Sequence, residues 1–331
     1  MRATSSAPAP IERARTVGFL LIDRFSMIAF CSAIEPLRLA NRAAGRELYG
    51  YRVYSEDGQG ARASNGLLVS VDGAFPEACD DVLIVCGGVD IQAADPRQAT
   101  TALRRALTRG GVIGSVCTGA YLLAKAGLLD GYRATIHWEN LEGLLSEHAE
   151  LDVGSDLFEI DRNRMTCAGG AAATDMMLAV IGRDHGAEIA SEVADQLIHH
   201  RIRDAGERQR MDLRMSLGVA HPKLLKVVQL MQDNVAEPLS NHDLADAVHL
   251  SARQLERLFF KYLSQSPAKH YLKIRLDRAR NLIRQTALPL LTIAMDCGFT
   301  SASHFSKAYV DHFGQPPSAE RKATQRFVKA G

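Results

Sequence analysis

Residues 238–267 read PLSNHDLADAVHLSARQLERLFFKYLSQSP, and residues 289–317 read PLLTIAMDCGFTSASHFSKAYVDHFGQPP. The two stretches are one pattern written twice. With Pro267 set on Pro317, Leu255 falls on Phe305, Arg257 on Lys307, Phe259 on Tyr309 and Leu263 on Phe313. Upstream of the turn the offset is one residue smaller, so Leu244-Ala245 falls on Ile293-Ala294. Each copy reads as a short apolar-periodic helix, a tight turn and a longer amphipathic helix, the layout of a helix-turn-helix. Two such modules in tandem suit one DNA duplex gripped at successive stretches.

In the first copy Ser251 stands where an N-cap belongs, and Leu255, Leu258, Phe259 and Tyr262 form the expected inward stripe. Arg253, Gln254 and Arg257 are left on the outer face, where Arg and Gln can form paired hydrogen bonds with base edges in the major groove. In the second copy Gly298 is expected to supply a positive φ and Thr300 to cap the following helix. Phe305, Ala308, Tyr309 and Phe313 then pack, leaving Ser303, His304 and Lys307 outside. The segment 267–286 between the copies has Tyr271, Ile274, Leu276, Ala279 and Ile283 near helical spacing. A helix of that length spans about 30 Å, close to the roughly 34 Å between successive major-groove faces.

RQLERLFFKYLSQSPAKHYLKIRLDRAR followed by IAMDCGFTSASHFSKAYVDHFGQPPSAERK closely resembles the DNA-binding domain of AraC-type transcriptional regulators, over residues 223 to about 325. The GF-x-S-x-S-x-FS-K segment and the PPS-x-x-R tail carry the likeness. It implies double-stranded promoter DNA and RNA polymerase as partners, and a homodimer. One departure is that Asp311 and His312 stand where the family often has basic residues, which implies weaker phosphate contacts by the second module.

Charge divides the chain in the same place. From residue 222 onward there are 16 Lys and Arg against 9 Asp and Glu, whereas the remainder holds 23 against 29. A near-neutral protein is therefore a basic module joined to an acidic one, and the basic part supplies the sequence-independent share of DNA affinity. At 331 residues and 47% apolar the chain can bury two cores. The expected organisation is an Ala/Pro/Ser-rich disordered leader at 1–15, a sensing domain at 16–205, a linker without a clear apolar face at 206–222 and a DNA-binding domain at 223–331. No apolar run approaches a membrane span, and no signal-peptide core is present. Cys31, Cys79, Cys86, Cys117, Cys167 and Cys297 show no metal spacing, so buried thiols in a reducing cytoplasm are expected, with no metal or cofactor.

In the acidic part TVGFLLI, DVLIVC and VIGSV read as buried parallel strands. Amphipathic stretches at 26–44, 97–109, 118–127, 139–147, 171–183 and 186–203 alternate with or follow them; the last is one candidate for a dimer interface. The fold class is thus an α/β sandwich with a mainly parallel sheet, followed by an all-α domain with two helix-turn-helix motifs. Ligands in such sheets bind at the carboxyl ends of strands, where two loops fall: Cys86-Gly87-Gly88-Val89-Asp90 and Cys117-Thr118-Gly119-Ala120. The second, in VIGSVCTGAYLLA, has the pattern of a nucleophile elbow, a thiol on a sharp turn opening a helix.

This part, from about Val17 to Arg203, resembles the class I amidotransferase-like fold of PfpI-type proteins, most of all the sensor domain of GlxA-type regulators. AIEPLRLAN, the GG-V loop, VCTGAYLLA-AGLLDG, the HW pair and AGGAAATDMMLAVIG carry that likeness. In enzymes of this fold a His commonly follows the Cys, and here the position is Thr118. An acidic activator would fall near Ala29, and His137 is the nearby His. The resemblance therefore implies a retired active site reused as an effector pocket, with Cys117, Thr118, His137, Trp138, Glu139, Glu35, Gly88 and Val89 as its candidate residues. The single Trp of the chain beside a carboxylate suits a cationic small molecule. GlxA-type regulators similar in SAIEPLRLAN and GRELYGYRV respond to quaternary ammonium compounds or amino acids, which implies glycine betaine, carnitine or arginine as effector and activation of catabolic genes. The alternative is a cysteine-dependent hydrolase or amidase with an appended DNA-binding domain.

Overall fold

The computed structural model describes residues 13–75, 80–95, 97–210 and 213–329, with the side chains of residues 215 and 324–329 left aside. Most of the leader, and Cys79, lie outside these residues. The chain divides into two compact units, Met1–Gln209 and Arg210–Gly331.

In the first unit the strands are β1 (Arg15–Leu21), β2 (Tyr49–Ser55), β3 (Ala61–Arg62), β4 (Leu68–Val69), β5 (Gly73–Ala74), β6 (Val82–Cys86), β7 (Val112–Val116), β8 (Ala134–Thr135), β9 (Val153–Gly154), β10 (Phe158–Asp161) and β11 (Arg164–Cys167). Seven of them form one sheet in the order β10-β11-β7-β6-β1-β2-β5. All neighbours are parallel except β10 and β11, whose register sets Phe158 opposite Cys167. Alternation along the strands serves two cores. Val17, Phe19 and Leu21 of β1 face α1 (Met27–Ala44), α5 (Ala172–His185) and α6 (Ala187–Gln196). Leu20, with Leu83 and Val85 of β6, faces α2 (Arg97–Thr108), α3 (Ala120–Lys125) and α4 (Trp138–Glu147). Both faces of the central strands are buried, which is why they read as continuous apolar runs.

β2, β5, β10 and β11 complete a sheet of which the sequence reading identified only β1, β6 and β7. The stretch expected as a helix over 186–203 stops at Gln196. Ile198 turns left-handed at φ 55, and the next residues bond to a buried carboxylate instead of continuing the helix. Cys86, Cys167 and Cys297 are buried as expected, but Cys31 is exposed on α1.

The second unit comprises α7 (Leu213–Leu217), α8 (Pro222–Asp233), α9 (Asn241–Asp246), α10 (Ala252–Leu263), α11 (Pro267–Gln285), α12 (Leu290–Asp296), α13 (Ala302–Phe313) and α14 (Pro317–Lys329). The 206–222 segment is not a uniform linker. Leu213, Leu217 and Val219 pack on the core of the first helix-turn-helix, with Leu224, Leu255 and Phe259. A second core gathers Ile293, Phe299, Phe305 and Tyr309. α11 contributes to both cores, with Tyr271 in the first and Leu276, Ala279, Leu282 and Ile283 in the second. Among the described residues no helix is long and apolar enough to cross a membrane.

Candidate effector site and DNA-reading faces

β2 lies on one side of β1 and β6 on the other, so the chain reverses direction across the sheet there. Three loops meet at the carboxyl ends of β1, β6 and β7. Cys117 follows β7 with φ 59, a left-handed conformation that an ordinary side chain adopts at a cost. The turn is held by close approach, because a Cβ on Gly169 would stand 2.7 Å from the Cys117 Cβ. Gly88 is fixed similarly, since a Cβ there would meet the Arg24 carbonyl oxygen at 2.1 Å. The Thr118 hydroxyl donates to the Gly88 carbonyl at 2.7 Å, so it ties two loops together. Val89 is 48% exposed beside them.

The Cys117 thiol is hydrogen-bonded to Ser26, the N-cap of α1, and to the Thr118 backbone N–H, yet burial pushes its pKa up to about 11. Glu139 acts in the same direction. Ala29, near which an acidic activator would fall, is fully buried in the core. His137 precedes α4 and its backbone N–H donates to the Cys117 carbonyl at 3.3 Å. Its imidazole lies 3.9 Å from Glu139 and its pKa is lowered by burial. The His137 and Trp138 rings are tilted against each other at 5.6 Å. Cys117, His137, Trp138 and Glu139 thus come together. Glu35 sits half-exposed on α1 and is paired with Arg38 at 2.7 Å.

Two side chains that the sequence reading did not single out organise this end of the unit. Asp175, fully buried in the first turn of α5, accepts from the Arg203 backbone N–H and guanidinium and contacts the His199 ring at 2.8 Å. Gln209 accepts the Trp138 backbone N–H at 2.7 Å and donates to the Ile136 and Asp156 carbonyls, both at 2.9 Å. Both act across long sequence separations, and no local pattern marks them.

In the helical unit the two modules share their design. Ser251 caps α10 in a capping box with Gln254, and Ser301 caps α13 by accepting from the His304 N–H. Ser301, and not Thr300, is therefore the cap. The positive φ at Gly298 is matched by His249 in the first copy, at φ 75 and 54. Leu250 then corresponds to Phe299 and Ser251 to Ser301, which leaves Thr300 as the extra residue of the second turn. Leu255 and Phe259, like Phe305 and Tyr309, are buried. Tyr262 is 37% exposed and lies against His221, so it is not part of the inward stripe.

Arg253, Gln254, Arg257, Ser303, His304 and Lys307 are all exposed. The Gln254 side-chain carbonyl accepts the Ser251 N–H at 2.8 Å, so in the free protein its amide NH2 is the end turned outward to donate. His304 and Lys307 also line a groove of about 410 Å³ between α11 and α13, together with Gln265, Lys269, Lys273 and Asp311. Lys269 and Lys273 were not singled out from the sequence, although they lie one helical turn apart on α11.

Comparison with known proteins agrees with this architecture. Residues 15–183 match the DJ-1/PfpI family and residues 244–323 match a helix-turn-helix domain. The chain is 45% identical over 316 residues to the HTH-type transcriptional regulator GbdR of Pseudomonas aeruginosa, covering 95% of this chain and 86% of that protein. It is 35% identical over 322 residues to the HTH-type transcriptional regulator GlxA of Rhizobium meliloti, covering 97% and 98%. A solved AraC family transcriptional regulator from Pseudomonas putida shares 28% identity, with a TM-score of 0.51 over 55% of this chain and 99% of that one. The chain belongs to the GlxA-like transcriptional regulators, ligand-responsive proteins that join a DJ-1/PfpI domain to an AraC-type DNA-binding domain.

Proposed function

We propose that the DJ-1/PfpI domain is a non-catalytic sensor whose effector, a quaternary ammonium or cationic amino-acid metabolite, lies against Trp138 and Glu139 and controls an activator of catabolic genes. The observation that carries this reading is the state of the elbow. Nucleophilic cysteine chemistry needs a thiolate and a base within reach. The Cys117 thiol is held protonated by burial, and its described hydrogen-bond partners are a serine hydroxyl and a backbone amide. An indole face against the His137 ring, and a Glu139 carboxylate within electrostatic reach of that thiol, suit a cation instead. His137, kept neutral by burial, adds an uncharged wall.

The regulator works in this reading as a homodimer in the cytoplasm, recruiting RNA polymerase to promoter DNA. Arg253, Arg257, Gln254, Ser303, His304 and Lys307 are its contacts to bases and backbone. The test is thermal unfolding of the full chain with glycine betaine, L-carnitine and L-arginine, alongside Trp138→Ala and Glu139→Gln. A ligand at 100 times its Kd adds about 2.7 kcal/mol to the domain it binds. A rise in the unfolding temperature of the wild type that both variants lose supports the site. An equal rise in all three proteins places the effector elsewhere.

A further inference from the structure

Gln209 is the last residue of the α/β unit, and both ends of its side-chain amide are engaged. Its Oε1 accepts the Trp138 N–H at 2.7 Å, and its Nε2 lies within donating distance of Thr135 Oγ1 at 3.1 Å and of the Ile136 and Asp156 carbonyls at 2.9 Å. We infer that Gln209 is the latch through which occupancy of the site beside Trp138 reaches the DNA-binding unit. This rests on the effector reading above and adds to it the residue that transmits the signal.

Three observations carry the inference. The first backbone N–H groups of a helix have no partner within the helix. His137, the N-cap of α4, provides no side-chain bond to them. The Trp138 N–H is instead satisfied from 71 positions downstream. The start of the helix that bears His137, Trp138 and Glu139 is therefore positioned by Gln209.

The chain leading to Gln209 is pinned along its length. Asp175 holds His199 and Arg203, the Leu157 N–H donates to the Ala205 and Glu207 carbonyls, and Asp156 bridges Arg208. A shift of residues 137–139 meets a fixed segment on the upstream side of Gln209. The residue on its downstream side, Arg210, is the first of the helical unit. A displacement at the α4 start is thus passed on in the downstream direction. Coupling also requires two arrangements that both ligands weigh differently. A latched and an unlatched Gln209 supply them, one with the Trp138 N–H satisfied and one without.

The test uses the full chain as wild type and Gln209→Ala, with a duplex selected by the protein from a random pool. Emission of Trp138, the chain's single Trp, follows titration with glycine betaine, L-carnitine and L-arginine, and anisotropy of the labelled duplex follows DNA affinity. In the wild type a bound probe is expected to change DNA affinity by about 5–150-fold, the usual range of allosteric coupling. In Gln209→Ala the probe still binds, but only the unlatched arrangement remains, so DNA affinity takes a single value with and without the probe and the shift collapses. An undiminished shift in the variant overturns the proposal.

If no probe binds the wild type, the effector class is wrong and the latch is decided by a second measurement. Linkage is reciprocal, so DNA must alter hydrogen exchange at the amides of Ile136–Asn140 in the wild type. That change present in the wild type and lost in Gln209→Ala supports the latch. Its absence from the wild type, or its persistence in the variant, overturns it, and the wild-type measurement stands even where the variant fails to fold.

Discussion

Arg203 closes its Nε at 3.0 Å and its Nη2 at 2.7 Å on one carboxylate oxygen of Asp175, while its backbone N–H meets the other at 2.7 Å. The carboxylate is wholly buried and the guanidinium is a third exposed, so the Arg is the partner that water could partly replace. Arg203→Ala leaves the backbone donor and His199 in place and is expected to cost about 1–3 kcal/mol. Asp175→Ala strands more groups and should cost about 3–5 kcal/mol, the range for breaking a buried pair. Urea unfolding of the full chain, with the two units treated as separate transitions, gives both values. Equal small losses would mean that the carboxylate does not fix the tail of α6.

The elbow thiol makes a second prediction. With its pKa raised from 9.0 to about 11, the thiolate population near neutrality is about 100-fold below that of an unperturbed thiol. Burial and Glu35 raise the Cys31 thiol too, but it is exposed on α1 and open to reagent, so alkylation of native protein by iodoacetamide at pH 7 should label Cys31 before Cys117, as peptide mass mapping would read. The sign for stability follows from the same shift. A folded-state pKa above the unfolded value contributes stability that is intact below about pH 9 and declines as pH climbs towards 11. Cys117→Ser should therefore flatten that alkaline decline. Rapid labelling of Cys117 at pH 7 would instead mark an activated nucleophile and restore the hydrolase reading.

Ser301 and Thr300 separate a cap from an inserted residue. Ser301→Ala removes the side-chain acceptor for the His304 N–H and should cost about 0.5–2 kcal/mol. Thr300→Ala should fall within about 0.5 kcal/mol of the wild type, as surface changes without a partner do. Chemical unfolding of the two variants distinguishes them, and the reverse ranking would restore Thr300 as the cap.

The same pair shows how far the sequence could be read. Helix pairs, caps and the apolar seam of each module follow from periodicity and local chemistry, so the repeat was legible down to Leu255 over Phe305. The position of the extra residue within the turn was not, because both Thr and Ser are good caps. In the α/β unit the apolar runs and the Cys-Thr-Gly turn marked the central strands and the elbow. Ser26, Asp175 and Gln209 were invisible for another reason. Each acts on a group far away in the chain, and a polar residue whose partner is distant looks like any surface polar residue until the fold brings the partner to it. Tyr262 failed in the opposite sense, since it holds the i+7 place of a stripe that ends at the rim, with Leu263 half-buried next to it.

The groove between α11 and α13 leads to the last prediction. Lys269 and Lys273 face it from α11, with His304 and Lys307 opposite, whereas Arg257 stands free on the exposed face of α10. A lysine on a phosphate and an arginine on a base leave different traces. Neutralising two phosphate contacts lowers the slope of log affinity against log salt by about 1.8, uniformly across sequences. Losing a bidentate base contact costs about 1–3 kcal/mol on the preferred sequence and relaxes specificity at one position. The double change Lys269→Ala and Lys273→Ala is therefore expected to reduce the salt slope while keeping the order of preferred duplexes. Arg257→Ala is expected to keep the slope nearly intact and to flatten preference at one base pair. Binding to a set of single-substituted duplexes at several salt concentrations reads both. If the double lysine variant kept its slope, the groove would not carry the DNA backbone, and the second module would depend on the outer face of α13 alone.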